Sequence, residues 1–488
     1  MTSVQIIYLA IVGAYMAGML YLGYRMSRSV DTLESFYTSD RNMNAAVTGF
    51  SFSATQMSSG AVMGNPAVTY NLGYNYIPNN FSASAAPWFT FISVGERVRK
   101  ISERVGAVDY GDIFGVRYGG AAKLIYAMVI LVFYIPLIVA QFKAAGDIGH
   151  VLLGIPYWLG VTAVGIIILL YTLWGGMFAV AWTDLVQGMI MIVGIGTLAV
   201  LCLLKTGGFT AMNEALAAIS PDMVRTTGKV TVTWAVCNLI SWSCLMIGGS
   251  AAAMVRFLLP KDVKTLRRAF GYSAVFQTII FASLAIIGAA GPILFPGLER
   301  TDQVVPSLIN QMLHPVFGGI VVAGILAAMM STVDSVLLLC SSCLTKNIYL
   351  THFRPNASVE EQLKVGRRTI VIVGLISLAM AFRPFTAIQW LVLFSFNVFT
   401  SCFTVPILFA VWWPRATRAG GTLGMLAGGA SSLYWYYLGY VQFNSFAQWP
   451  YGIWPGVLGT LVCLVVTVAV SLMTAPVEER VLDLFYQE

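Results

Sequence analysis

About thirteen strongly apolar segments follow one another along the 488-residue chain, most of them close to twenty residues long. About 20 apolar residues cross the hydrocarbon core of a bilayer as a helix. Hydrophobic residues make up 58% of the chain and charged residues 10%, which is too apolar for a water-soluble protein of this size. The sequence therefore predicts an all-α integral membrane protein, with transmembrane helices at 3–24, 44–73, 75–95, 121–146, 156–174, 182–204, 231–259, 270–295, 304–346, 366–382, 384–413, 419–441 and 452–474.

The basic residues are distributed unevenly along the chain, which carries a net charge of +7. Of its 28 Lys and Arg residues, 22 fall on one side of the predicted membrane, among them Arg256 after the seventh span. Cytoplasmic loops are enriched in Lys and Arg, so we expect an extracellular N-terminus and a cytoplasmic C-terminus in the cell membrane. The basic charge is a topology signal, and no nucleic-acid partner is expected.

Residue types that carry covalent chemistry are scattered. The seven cysteines lie in or near apolar spans, where a free cysteine behaves as a small hydrophobe. The three histidines have no ligand spacing, and the sequence shows no metal cluster, nucleotide loop or nucleophile triad. These observations argue against an enzyme.

The second span contains a run that breaks a membrane helix, GFSFSATQMSSGAVMGNP at 49–66. Gly60, Gly64 and Pro66 weaken the helical hydrogen-bond ladder where hydroxyl and amide side chains cluster. A freed backbone carbonyl in hydrocarbon must be buried in protein or meet water or an ion. Transporters bind ions and solutes at broken spans of this kind. The alternative is a polar, tightly packed helix within a large bundle.

The seventh span is interrupted at 247–250, just after Trp242 and Ser243. Each interrupted helix thus begins a block of five spans. Because five is an odd number, the second block starts on the opposite side of the membrane and must be inverted relative to the first. Corresponding breaks in two halves indicate a transporter binding site. The predicted organisation is a first helix and cytoplasmic loop (1–43), a first repeat (44–204), an extracellular loop (205–230), a second repeat (231–413) and two C-terminal helices with a short cytoplasmic tail (414–488).

The ninth span carries the second polar centre, GILAAMMSTVDSVLLLCSS. On a helix Ser331, Asp334 and Ser335 share one face, with Thr332 beside it. Oxygen-rich clusters without thiol or imidazole suit hard cations. Hydroxyls bonded to their i−4 carbonyls could account for the serines but not for Asp334. The pattern favours a cation site.

Three other polar positions leave alternatives open. Lys143 in the fourth span is a functional-site candidate, but it could also pair with Asp147 at i, i+4. Asp184 follows the Gly175-Gly176 turn, where a helix N-cap is the ordinary explanation. Asn80 and its neighbour Asn79 in the third span either line a cavity or bridge helices.

The motifs SATQMSSGAVMGNP, YTLWGGMFAVAWTD, VRFLLPKD and ILAAMMSTVDSVLLLCSS together resemble the sodium/solute symporters, which include proline, pantothenate, sialic acid, glucose and iodide carriers. The resemblance covers nearly the whole chain. It implies a LeuT-like fold, in which two inverted five-helix repeats surround a central site that is alternately open to the outside and the inside.

The resemblance also implies ion and substrate residues. Carried over, the principal sodium site uses the carbonyl oxygens of Ala54, Met57 and Ala328 and the hydroxyls of Ser331 and Thr332. Some members bind a second ion through residues that match Asp184 and Ser335. This chain has Asp334 where those members often have a small polar residue, which leaves open whether a second ion binds here or a proton on Asp334 takes its place. The implied substrate candidates are Gln56, Ser59, Asn80, Gln141, Lys143, Trp242, Ser243 and Met246.

Departures from the family leave the substrate open, since Ala251-Ala252 replaces a frequent Pro-His pair and Met246 a frequent gating tyrosine. Lys143 would favour a carboxylate-bearing solute, provided that it faces inward. We expect a sodium-coupled symporter that imports a small polar, carboxylate-bearing solute such as an amino acid or a pantothenate-like molecule. Sodium is the expected bound ion, the solute and bilayer are the expected partners, and no obligate protein partner is evident.

Three alternatives remain. A proton-coupled or sodium-independent transporter of the same fold could use Asp334 or Lys143 instead of sodium. A transporter-like sensor is disfavoured because the tail after the last span, APVEERVLDLFYQE, is too short for a signalling domain. A channel is disfavoured because no pore loop is repeated.

Overall fold

The computed structural model describes residues 2–26, 32–383 and 388–486. Within these residues the regular structure is helical, apart from one isolated bridge between Met43 and Pro260. The helices are α1 (Ser3–Met26), α2 (Leu33–Thr38), α3 (Ala45–Gln56), α4 (Asn65–Leu72), α5 (Ile77–Thr90), α6 (Glu96–Val105), α7 (Tyr110–Tyr118), α8 (Gly120–Val151), α9 (Tyr157–Lys205), α10 (Gly208–Ile219), α11 (Val232–Trp242), α12 (Met246–Gly249), α13 (Ala251–Met254), α14 (Val263–Leu294), α15 (Val304–Met312), α16 (Pro315–Ser342), α17 (Val359–Ala381), α18 (Ile388–Trp412), α19 (Arg418–Phe443), α20 (Pro455–Met473) and α21 (Glu479–Tyr486).

The predicted spans all fall on helical segments, which confirms an all-α membrane protein. Among the described helices, seven are long and apolar enough to cross a membrane, judged by length and composition. The remaining predicted spans are interrupted, short, charged or, as in α19, less apolar, so the number of crossings stays a prediction. The predicted start of the eleventh span, at 384, lies outside the described residues.

Both predicted helix breaks are present. α3 ends at Gln56, Met57 leaves the helical conformation (φ −81°, ψ 80°), and a wide turn at Gly60–Gly64 precedes α4. The seventh span is divided into α11, α12 and α13, with non-helical backbone at Ser243 (φ −101°, ψ −83°) and Ser250 (φ −116°, ψ 64°). The second span is therefore interrupted where the polar run indicates. In the seventh span the interruptions lie at Ser243 and Ser250, whereas 247–249, predicted as part of the break, belong to α12.

The predicted turn between the fifth and sixth spans is a sharp kink within α9. Gly176 has φ 53° and ψ −155°, and a Cβ there would lie 2.7 Å from the carbonyl oxygen of Phe36. A straight helix of 49 residues would measure about 74 Å, more than twice the hydrocarbon core. Gly176 therefore divides α9 into two arms. Helical structure resumes at once, so the N-cap interpretation of Asp184 is wrong.

α16 lies at the centre of the molecule. In its most apolar stretch 83% of the residues are buried inside the protein, against 28% for α1. It contacts α1, α3, α8, α9 and α17. The polar residues of the ninth span therefore face other helices rather than lipid.

Candidate functional site

The break after α3 lies against the middle of α16, and oxygen atoms of both elements converge there. The hydroxyl of Ser331 donates to the carbonyl oxygens of Ala54 (3.0 Å) and Ala328 (3.1 Å). The hydroxyl of Thr332 lies 3.1 Å from the same Ala328 oxygen and 3.4 Å from that of Met57. All five residues are buried. The structure thus brings together the five residues predicted as principal sodium ligands.

The chemistry of this oxygen set fits a small hard cation. Regular helix stops at Gln56, which leaves the Met57 carbonyl free to point across to α16. Hard cations are bound by oxygen ligands such as carbonyls and hydroxyls. Three carbonyl and two hydroxyl oxygens are neutral together, which suits a single positive charge. Bound there, sodium would join the break to α16 by electrostatic attraction.

A second polar cluster, on the cytoplasmic side of the α3 break in the predicted topology, contains Asp184, Arg256 and Asp334, which we call the inner charge group. Arg256 Nη2 lies 3.2 Å from Asp184 Oδ2, and both side chains are 0% exposed. The Ser51 hydroxyl donates to Asp184 Oδ2 (2.5 Å) and accepts from Arg256 Nε (3.0 Å). Predicting Arg256 as a cytoplasmic loop charge was therefore wrong: it forms a buried ion pair.

Asp334 belongs to the same group but has different partners. It accepts hydrogen bonds from the Tyr171 hydroxyl (2.8 Å) and the Ser335 hydroxyl (3.1 Å). Arg256 Nη2 lies between Asp184 and Ser335, in contact with both. The guanidinium thus takes the space between two of the predicted second-ion ligands. The group contains two carboxylates and one guanidinium, so it is one positive charge short of neutrality when both carboxylates are ionised.

Packed side chains separate the inner charge group from the predicted cytoplasmic face. A cavity of about 10 Å³, room for about one water molecule, lies between Ser335 and Ser342. Below it the Asp109 carboxylate accepts from Ser342 (2.5 Å) and Asn347 (3.2 Å). Burial, and then the neighbouring Asp112, raise the pKa of the Asp109 carboxyl. On this side the path is closed by packed, hydrogen-bonded side chains.

The predicted extracellular side is more open. A cavity of about 450 Å³ reaches Gly64 at the break of the second span, and its wall includes Asp302 and Gln389. This volume is in the range of small-molecule sites. Beside it Lys143 Nζ lies 2.9 Å from Asp147 and 3.4 Å from Asp302, and Arg300 lies 3.0 Å from Asp147. We call these four residues the outer charge group; they favour the pairing alternative for Lys143.

The other substrate candidates lie around the two helix breaks. Gln141 accepts from the backbone N–H of Ser59 (2.6 Å), and Gln56 accepts from Gln277 (3.0 Å), a residue the sequence did not single out. Trp242 packs on Phe396 with the ring centroids 5.3 Å apart. Met246 is buried at the start of α12.

The hydrogen bonds of these residues differ. Ser243 donates to the Leu239 carbonyl of its own helix (2.6 Å). Asn79 bridges Asn65 and Asn238. Several buried polar atoms, by contrast, have no partner in the described part of the protein: both amide atoms of Asn80, Gln56 Nε2, Ser59 Oγ and Trp242 Nε1. Buried polar groups are normally satisfied, so these atoms favour a polar ligand.

Comparison with known proteins identifies the family. A family model described as the sodium:solute symporter family matches residues 36–428. The chain belongs to the sodium:solute symporter family. It is 28% identical over 480 residues to the high-affinity proline transporter PutP of Bacillus subtilis, covering 96% of this chain and 99% of that one. It is 27% identical over 483 residues to a sodium/proline symporter of Salmonella typhimurium, covering 96% and 94%.

The fold also has a counterpart among solved structures. A Na+-coupled sialic acid symporter, solved in a substrate-bound outward-open state, superposes with a TM-score of 0.82 at 21% identity, covering 97% of this chain and 99% of that one. This sodium:solute symporter family member therefore has the LeuT-like fold that the resemblance implied. It is a multi-pass membrane transporter and not an enzyme.

Proposed function

We propose that the protein is a sodium-coupled symporter that imports a small polar solute by alternating access. The observation that carries this proposal is the convergence of five buried neutral oxygens from the α3 break and α16. Sodium bound there favours the conformation in which the two elements are correctly placed for substrate. Sodium and solute then raise each other's affinity by the same factor.

The proposed solute carries a carboxylate and is an amino acid, with proline as the first candidate. Two relatives named as proline transporters align over more than nine-tenths of this chain. Lys143 is bound by Asp147 and Asp302, so it is not the carboxylate ligand we favour. Transporters of this kind bind substrate at broken spans. We assign the carboxylate to the unpartnered amide groups of Asn80 and Gln56, because backbone N–H groups at the breaks, such as those of Ser59 and Ala252, already have partners.

The test is solute uptake into proteoliposomes containing the purified protein, at increasing sodium concentrations. We predict that Ser331→Ala or Thr332→Ala raises the sodium concentration for half-maximal uptake at least about tenfold, because each removes one ligand oxygen and a buried hydrogen bond. Substrate affinity at saturating sodium should change far less. The matched control is Ser377→Ala, which removes a buried hydroxyl on α17. An equal loss at every sodium concentration would contradict the sodium assignment.

The inner charge group favours a second candidate: coupling to an additional cation, sodium or a proton. Asp184 is paired with Arg256, whereas Asp334 receives its hydrogen bonds from neutral hydroxyls. One further positive charge would neutralise the group. If this charge replaces the principal sodium altogether, uptake will not depend on sodium, and the protein is a proton-coupled or sodium-independent transporter.

We also propose the orientation predicted from the basic residues, with the N-terminus outside and the two repeats (44–204 and 231–413) inverted. Single cysteines at the exposed Lys229 and Lys264 should react with an impermeant thiol reagent from opposite sides of the membrane. Most native cysteines are buried. Labelling of both positions from the same side would contradict the proposed topology.

A further inference from the structure

A cleft outside the transport site lies between the first arm of α9 and α17, at the predicted cytoplasmic edge of the membrane. It encloses about 640 Å³ and is lined by Leu173, Trp174, Arg367, Arg368, Val371 and Ile372. Deeper in the membrane the two helices are in contact, since a Cβ added to Gly374 would lie 2.4 Å from Leu169. The cleft is therefore a groove between packed helices, with a charged end and an apolar end.

The groove continues into the membrane as apolar columns. Positions i, i+4 and i+8 of a helix lie above one another on one face. Each arginine of α17 heads such a column, and Trp174 heads one on α9. Most of their apolar members are exposed on the protein, between 36% and 56%, so they face lipid. The columns are Arg367–Val371–Leu375, Arg368–Ile372–Ile376 and Trp174–Leu170–Ile166.

The two arginines at the charged end are available for a ligand. Both are exposed. The acidic residues nearest in sequence are already bound, Glu360 by Lys364 (2.6 Å) and Glu361 by the Tyr349 hydroxyl (2.5 Å). Within residues 2–26, 32–383 and 388–486, Arg367 and Arg368 form no ion pair. Trp174, exposed by 39%, stands beside them at the level where tryptophan anchors helices to the interface.

We propose that this groove binds one anionic phospholipid of the cytoplasmic leaflet. Its phosphate lies between the guanidinium groups of Arg367 and Arg368, which form charge-assisted hydrogen bonds with phosphate oxygens. Its acyl chains follow the apolar columns of α17 and α9. Basic pockets between transmembrane helices on the cytoplasmic side recognise lipid headgroups in this way.

The test is native mass spectrometry of the detergent-purified protein, offered phosphatidylglycerol and phosphatidylcholine with identical acyl chains. The intact protein should retain phosphatidylglycerol at least about tenfold more than phosphatidylcholine, and Arg367→Gln with Arg368→Gln should abolish this preference. The matched control is Lys264→Gln with Arg354→Gln, which removes two exposed cytoplasmic charges outside the groove and should keep the preference. Thermal unfolding and size-exclusion profiles confirm that both variants are folded.

Three outcomes would overturn the proposal. The intact protein could retain the two lipids equally, or the groove variant could keep the full preference for phosphatidylglycerol. Inorganic phosphate in millimolar excess could displace the lipid, which would show a site for free anions without an acyl-chain requirement. Each result is independent of sodium dependence and uptake, so the proposal can fail while the transport function stands.

Discussion

The outer and inner charge groups are both ion-pair clusters within a membrane protein, but they differ in charge balance and in access to water. The outer group has two cations, Lys143 and Arg300, and two carboxylates. Its side-chain exposures run from 7% to 54%. The inner group has two carboxylates and one guanidinium, and its ion pair is 0% exposed. Only the inner group carries a surplus charge away from water.

This difference separates a structural role from a role in ion coupling. A balanced, partly hydrated group gains little from a further ion, and salt screens its internal attraction. A buried group with a surplus carboxylate is costly until another positive charge arrives. Of the two groups, we therefore expect the inner one to respond more to a bound cation, whereas the outer group joins the end of α8 to the segment between α14 and α15 beside the outer cavity.

The largest effect is expected from Arg256→Gln. It leaves Asp184 without its buried partner, and breaking a buried ion pair costs about 3–5 kcal/mol. We predict loss of at least about a hundredfold in uptake, with less folded protein in the membrane. Fluorescence-detected size exclusion measures the folded fraction and proteoliposome uptake measures transport.

The matched control combines Arg256→Gln with Asp184→Asn, which removes both charges of the pair. It should recover much of the folded protein lost in the single variant, because no unpaired charge is created at Asp184. Normal folding and uptake of the single variant would show that the pair is dispensable and would remove the distinction drawn between the two groups.

The next effect is expected from Asp334→Asn, which removes the surplus charge but keeps an acceptor for the Tyr171 hydroxyl. If the additional cation is sodium, the Hill coefficient for sodium activation should fall from about 2 to about 1, since one site is lost. If it is a proton, uptake should stop responding to a pH gradient. Ser377→Ala, which removes a buried hydroxyl on α17 and keeps the carboxylate, should retain the response. Unchanged sodium and pH behaviour in Asp334→Asn would mean that Asp334 binds neither ion.

The sequence predicted the parts of this structure that depend on local patterns. Hydropathy locates the spans, and glycine with polar residues locates the break at Met57; in the seventh span the same signal indicates a break but places it at 247–250, a few residues after Ser243. The residues predicted to bind sodium lie together, and the sequence could indicate this because the family resemblance supplied the pairing of α3 with α16. Asn79 and Asn80 look alike in sequence, yet Asn79 bridges helices and Asn80 has no partner in the described chain. Which asparagine bridges helices depends on the rotation of α5 about its axis, and two adjacent asparagines in a sequence do not specify that rotation.

Arg256 shows where local reasoning fails. It follows an apolar span, as a cytoplasmic loop charge does, but its partner Asp184 lies 72 residues away. Asp184 itself follows a glycine pair, where a cap is normal, but helix resumes immediately after Gly176. Each residue had a satisfactory local explanation. Their pairing is set by the packing of α9 and of the second broken span against α3, which neither local pattern contains.

A smaller effect is expected from Lys143→Gln in the outer group. Arg300 remains to neutralise Asp147, so we predict a rise of about tenfold or less in the KM for uptake. The rise should be the same for a carboxylate substrate and for its carboxamide analogue. The measurement compares how proline and prolinamide compete for uptake. Asp302→Asn, which removes the weaker partner at 3.4 Å, is the control within the same group. A loss confined to the carboxylate form would restore Lys143 as a substrate ligand.

The smallest effect is expected from Arg300→Gln. Its side chain is 54% exposed while its partner Asp147 is 7% exposed, so water already screens the pair from one side. Exposed ion pairs contribute less than about 1 kcal/mol, which limits the change in KM to about fivefold. The change should shrink further when potassium chloride is raised at constant sodium, because the screening length falls to about 3 Å at 1 M salt. The effect of Arg256→Gln should not shrink with added salt, because the guanidinium that this variant removes is fully buried. Equal salt dependence in the two variants would mean that water reaches the inner group as easily as the outer one, and the surplus charge on Asp334 would then not need a coupled ion to neutralise it.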